Sequence, residues 1–221
     1  MCIRDRSNIT DTTSYIGTLY GSWQNSDRFV DIMASAGVSK NETEKVEITG
    51  LSTSEYDANQ LGLRLVTGQD FWLDSQAMVL QPNLSFNYGR VDIEAYEEIT
   101  PSVMTQPIHK QRYEVVELGA GITAMKSFEL DRGLLDASLS LNVYHDFAAD
   151  QVEVTNSIIT SAGATAPTTH TGAEPEKTTW QASLGLNYQI SNTLSASVNY
   201  DHTWKSTFAA DSASIKLRYD F

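Results

Sequence analysis

The chain is poor in several things at once: one cysteine, five prolines, and 15 lysines and arginines against 28 aspartates and glutamates in 221 residues. A lone thiol excludes a disulfide framework. Few prolines, with 41% apolar and 10% aromatic residues, exclude a disordered chain. No run of eighteen apolar residues occurs, so the sequence holds no helix able to cross a bilayer. A net charge of −13 without any lysine or arginine cluster argues against a nucleic-acid partner, because that affinity comes from basic groups displacing counterions. Phosphate-loop, nucleophile-elbow and zinc-helix motifs are missing, and the four histidines have no metal-site spacing. The sequence therefore assigns no catalytic, cofactor-binding or metal-binding residue, and no enzyme activity.

What is there is alternation. From 178 to the C-terminus three segments repeat an apolar and polar period of two, the period of a strand rather than the 3.6 of a helix. Trp180, Ala182, Leu184, Leu186, Tyr188 and Ile190 share one face, and Gln181, Ser183, Gly185, Asn187 and Gln189 the other. Leu194 to Trp204 and Ala213 to Phe221 do the same, each roughly ten residues long, the length of a tilted strand crossing hydrocarbon. Such a wall is apolar on alternate residues only, so a mean hydropathy of −0.29 does not count against membrane insertion. The fold expected is all-β: an antiparallel transmembrane β-barrel.

Alternating segments also occur at 13–23, 28–39, 56–68, 77–91, 111–126 and 134–146, making about nine strands. Brief connections (24–27, 69–75, 127–133, 189–193) alternate with long ones (40–55, 92–110, 150–177) that look too long for hairpins; 205–211 is the short exception. Tight periplasmic turns against long extracellular loops are the habit of bacterial outer-membrane barrels, which sets the expected localisation. Residues 1–11 are expected to be a non-native or unstructured segment, and 12–221 a barrel domain incomplete at its N-terminal side. Met1–Arg6 holds no apolar core that could serve as a secretory signal, and an even strand number requires further strands before Thr12. The stretch 161–175, rich in Ala, Thr, Gly and Pro, reads as loop surface rather than as a linker.

Phase along each strand assigns faces. Asp31, Arg64, Glu117, Asp136, Asp201, Lys216 and Arg218 stand opposite the leucines, and a midplane arginine or lysine in lipid costs about 2–4 kcal/mol, so these must point into a lumen. Mutual pairing is their simplest use. Tyr20, Trp23, Trp72, Tyr88, Tyr188 and Trp204, near strand ends, suit interfacial girdles. Gly119, Gly121 and Ala124 match a dinucleotide fingerprint but sit within a strand, where glycines make room in a crowded lumen. Pro82 cannot donate to a ladder and predicts a bulge or an early-strand position. Acidic groups gather in the long connections, as solubilising charge or as ligands for cations bridging lipopolysaccharide.

Residues 29–37 (FVDIMASAG), 55–62 (EYDANQLG), 88–96 (YGRVDIEAY) and 213–221 (ASIKLRYDF), in that order, resemble the C-terminal β-domain of autotransporters. That resemblance implies a twelve-stranded outer-membrane barrel threaded by a linker helix that carries an N-terminal passenger domain to the surface of a Gram-negative cell. It also implies the barrel assembly machinery as a partner, reading Tyr219 and Phe221, and contact of the inward charges with the helix. Outer-membrane lipid and lipopolysaccharide complete the expected partners. Two alternatives stand beside it: another outer-membrane barrel (porin or adhesin), and a soluble β-sandwich or lectin-like binding module.

Overall fold

The computed structural model describes the chain except residues 1–2, 5–7, 48–49, 74–77, 100–105, 132, 150, 152, 160–164, 192 and 221. Among the described residues, fifteen strands in chain order form one antiparallel sheet: β1 (Ile3–Arg4), β2 (Asn8–Asn25), β3 (Arg28–Glu47), β4 (Gly50–Gln69), β5 (Phe71–Leu73), β6 (Met78–Ile93), β7 (Tyr96–Ile99), β8 (Gln106–Ile108), β9 (Gln111–Leu130), β10 (Gly133–Asp146), β11 (Glu153–Ile159), β12 (Thr165–Thr171), β13 (Thr178–Gln189), β14 (Leu194–Trp204) and β15 (Ala209–Tyr219). Nine of them, β2, β3, β4, β6, β9, β10, β13, β14 and β15, pair in sequence order as a curled half-barrel. Each alternating segment of the sequence falls on one of these nine, and the first of them starts at Asn8.

The long connections are not irregular loops. Strands β3 and β4 pair without interruption from Arg28↔Gln69 to Glu47↔Gly50, so 40–55 is the top of a hairpin. Residues 92–110 hold β7 and β8, and 150–177 hold β11 and β12. These short strands prolong the wall. Tyr96↔Ile108 between β7 and β8 keeps the register that Ile93↔Gln111 sets between β6 and β9. Along β4, the four steps from Ala58 to Ser54 face five steps from Ile93 to Glu98, a one-residue bulge at Glu94 and Ala95. The sheet thus continues upward as a collar, ordered β4, β7, β8, β11, β12.

Length explains why the sequence hides the collar. At about 3.3 Å per residue a 20-residue strand is about 66 Å long, and tilted by about 45° it rises about 45 Å, well beyond an apolar band about 25 Å tall. Above that band the backbone still needs its hydrogen bonds, but no side chain need be apolar. Lys40, Asn41, Glu42, Thr43 and Glu44 accordingly pair in perfect ladder with Asp57, Tyr56, Glu55, Ser54 and Thr53.

At the opposite end, β5 keeps the register of β4 against β6, since Gly68↔Asn83 and Phe71↔Leu80 belong to one ladder. The single break, at Asp70, lies beside Pro82, the fifth residue of β6, whose missing N–H leaves a gap there. Gln81 bridges the gap by donating its side-chain amide to Asp70, 2.7 Å. Gly133 closes the β9–β10 turn at φ 146°, where a Cβ would also collide with the Gln189 carbonyl.

Candidate functional site

The register makes the two faces explicit, because directly paired residues point the same way. One row of the concave face runs Ser22, Asp31, Val66, Ser85, Gly119, Tyr144, and the next runs Tyr20, Met33, Arg64, Asn87, Glu117. The inward acids are held by neutral donors. Ser22 donates to Asp31 (2.5 Å), Ser127 to Asp136 (2.6 Å), Ser183 to Asp201 (2.5 Å) and Asn87 to Glu117 (2.7 Å). Arg218 pairs with Asp220 at 2.9 Å, and none of the seven expected inward charges forms an ion pair with another among the described residues. In place of mutual neutralisation, the simplest expectation from sequence, these acids accept cross-strand hydrogen bonds from neutral donors, two of them at Asp201, where Ser212 also donates at 3.4 Å.

The glycines behave as spacers. A Cβ on Gly119 would strike the Ser85 hydroxyl and the Tyr144 ring, and one on Gly121 the Asn142 amide. No nucleotide-binding helix follows them, since β9 continues to Leu130. Near the turn end of the wall the same face holds a cavity of about 450 Å³ lined by Trp72, Val79, Met125, Asp136, Asn187 and Asn199.

The convex face is apolar and uncovered. Leu19 is 80% exposed, Ile215 78% and Leu217 73%, and no second layer of sheet or helix lies against them among the described residues. Trp180 and Trp204 stack on this face at 6.3 Å, and His202 stacks on Trp204 at 5.2 Å. Trp23, Tyr88, Tyr188 and Tyr219 also point outward, in phase with Val30, Leu63, Leu135 and Leu194.

Two aromatic residues depart from the outward placement expected of them. Tyr20 shares a row with Met33 and Arg64 on the concave side, and Trp72 stands opposite Val79, also inward. In β2 both phases carry aromatic or aliphatic residues, so alternation there is ambiguous: Tyr15, Leu19 and Trp23 won the outward side over Ile16 and Tyr20. Phe221 lies outside the described residues.

Sequence reasoning missed two polar clusters on the convex face. In one, the Asp211 carboxylate accepts from Tyr200 Oη (2.6 Å) and meets His202 Nδ1 at 2.7 Å. In the other, Asp92 lies between Arg90 (2.6 Å) and Arg112 (2.8 Å), and Tyr88 donates to Glu114 at 2.9 Å. Phase places the members of each set on one face, but only the cross-strand register brings them together.

A curled antiparallel wall with a bare greasy outside and a polar, hydrogen-bonded inside defines a β-barrel of the membrane-protein kind. The family model described as autotransporter beta-domain matches residues 3–201, and the chain belongs to that family. Its fold is similar to the translocator domain of the autotransporter NalP from Neisseria meningitidis, with a TM-score of 0.68 at 14% identity, covering 100% of this chain and 71% of that one. It is also similar to the toluene transporter TodX from Pseudomonas putida, with a TM-score of 0.55 at 13% identity, covering 97% of this chain and 62% of that one. No curated protein sequence matches the chain.

Proposed function

We propose that this chain is the wall of an outer-membrane translocator that anchors an N-terminal passenger domain and helps export it to the cell surface. The observation that carries the reading is the convex face, where large apolar side chains lie bare along every wall strand. In water such a surface would aggregate; in lipid it is the anchor. The concave face supplies the complementary half, a hydrated polar surface along which a chain or helix can lie.

The work is physical, with no bond made or broken. Ladder pairing satisfies the backbone within hydrocarbon, where each orphaned group costs several kcal/mol. The first and last wall strands, β2 and β15, both run toward the turn end. Tyr219, outward at the last paired rung, serves with Phe221 as the signal for the assembly machinery. Arg64 and the inward acids face the linker helix.

The test uses the full-length gene product in a Gram-negative host. The expected result is an outer-membrane protein that migrates differently with and without heating, with passenger epitopes cut by protease added to intact cells. A heat-modifiable barrel whose passenger stays protected inside would contradict export, and protein recovered in the soluble fraction would contradict the barrel itself.

A further inference from the structure

In a chain of net charge −13, two guanidiniums from adjacent strands converge on the convex face. Arg90 of β6 and Arg112 of β9 stand directly above the outward Leu63, Phe86 and Tyr88, where the apolar band ends and the polar collar begins. Arg90 is one-third exposed and Arg112 half exposed, while Asp92 between them is largely covered. Each Asp92 oxygen is committed to one arginine, Oδ2 to Arg90 Nε and Oδ1 to Arg112 Nε. Tyr88 lies beside Arg90 and donates its own hydroxyl hydrogen bond to Glu114, at 2.9 Å.

A guanidinium has five N–H donors, and Asp92 takes only the Nε–H of each. The shared carboxylate therefore acts as a hinge pin that fixes two forks side by side. The two arginines hold Asp92 ionised, with its pKa lowered to about 2, so the arrangement persists across physiological pH. Against the pair stand the charges of Asp92 and Glu114, so the cluster is neutral as a whole and selects by geometry rather than by bulk attraction. Paired forks suit a tetrahedral phosphate, which a guanidinium binds bidentately. Directly below, the tyrosine and leucine surface suits an acyl chain.

We propose that Arg90 and Arg112 form a binding site for the phosphorylated headgroup of an outer-leaflet glycolipid, with its acyl chains lying along Leu61, Leu63 and Phe86. The proposal rests on the outer-membrane reading above and adds to it a specific lipid-binding site. It fixes the depth and rotation of the barrel in the bilayer at one point of its circumference.

The test compares the wild-type protein and the double variant Arg90→Gln/Arg112→Gln, both purified as full-length gene product in detergent. Thermal melting is followed by heat-modifiable migration. Diphosphorylated lipid A is expected to raise the midpoint of the wild type by several degrees, the dephosphorylated lipid and free inorganic phosphate are expected to leave it unmoved, and the double variant is expected to bind about tenfold or more weakly. Should the double variant fail to fold, Arg112→Gln alone, the more exposed arginine, carries the same expectation at a smaller size. Equal shifts with phosphorylated and dephosphorylated lipid, or an undiminished shift in the variants, overturn the site while leaving the barrel intact. Protein that never becomes heat-modifiable overturns the barrel reading instead, and this site with it.

Discussion

The wall and the collar are one sheet with one register, yet only the wall can be read from the sequence. Between Leu135 and Val143 every second residue is apolar, and the strand is recognisable to within a residue. Between Lys40 and Glu47 the hydrogen-bond ladder is equally complete, but the side chains follow no period because both faces meet water or other polar groups. Backbone pairing is universal along the strand, whereas alternation is imposed only where one face is greasy. Hydrophobic pattern therefore reports the surroundings of a face rather than the secondary structure, and a pattern search ends each strand where its apolar face ends.

The sharpest way to break that contrast is to put the same charge in both regions. Leu139→Arg, on the convex face of β10, is expected to cost about 2–4 kcal/mol and to remove most of the heat-modifiable form. Glu44→Arg, in the collar, is expected to change stability by less than about 0.5 kcal/mol. Equal effects at the two positions would deny that lipid meets one and water the other.

Packing on the concave side gives the next largest effect. Gly119→Val drives a side chain into Ser85 and Tyr144 and is expected to cost about 1–3 kcal/mol in urea unfolding. Gly89→Ala is the control, since its Cβ would meet only Val115, at an ordinary 3.8 Å. If both are neutral, the inner face is looser than its contacts imply.

The collar has a small interior of its own. Tyr56 and Tyr96 stack at 4.7 Å, Ile108 and Asn41 are buried, and Ser52 donates to Glu98 at 2.8 Å. Burial, with Tyr56 and Glu98 close by, holds the Tyr96 phenol above its ordinary pKa. Tyr96→Ala is expected to cost about 0.5–1.5 kcal/mol, to speed amide exchange in β7 and β8, and to leave membrane insertion unchanged. Exchange that also quickens in β10 and β13 would make collar and wall a single cooperative unit.

A smaller effect is expected from acid. Because Asp92 titrates at about 2 when folded, against an ordinary 3.8, its contribution is fully present above about pH 4 and fades as pH falls toward 2. Asp92→Asn should remove that acid dependence. An unchanged unfolding profile between pH 4 and pH 2 in the two proteins would show that the arginine bridge does not form.

What was legible follows the same division. All nine wall strands came from alternation, which a strand shows wherever one of its faces is apolar. The arms of the collar hairpins did not, because polar residues pair as readily as they loop. Tyr20 and Trp72 were misplaced for a related reason: an aromatic ring satisfies the outward girdle and the inner cavity alike, and only the register decides. The cross-strand clusters around Asp92 and Asp211 needed pairing partners that no single-strand pattern contains.

The most direct test is a scan of single nitroxide-labelled cysteines in lipid bilayers, on a background with Cys2 replaced by serine. Along 139–142 of β10, accessibility is predicted to alternate, with Leu139 and Leu141 reporting lipid-dissolved oxygen and Ser140 and Asn142 reporting the aqueous probe. Along 41–44 of β3 all positions are predicted to favour the aqueous probe over the lipid one. Aqueous accessibility on both sides of β10, or lipid contact throughout 41–44, would contradict the account.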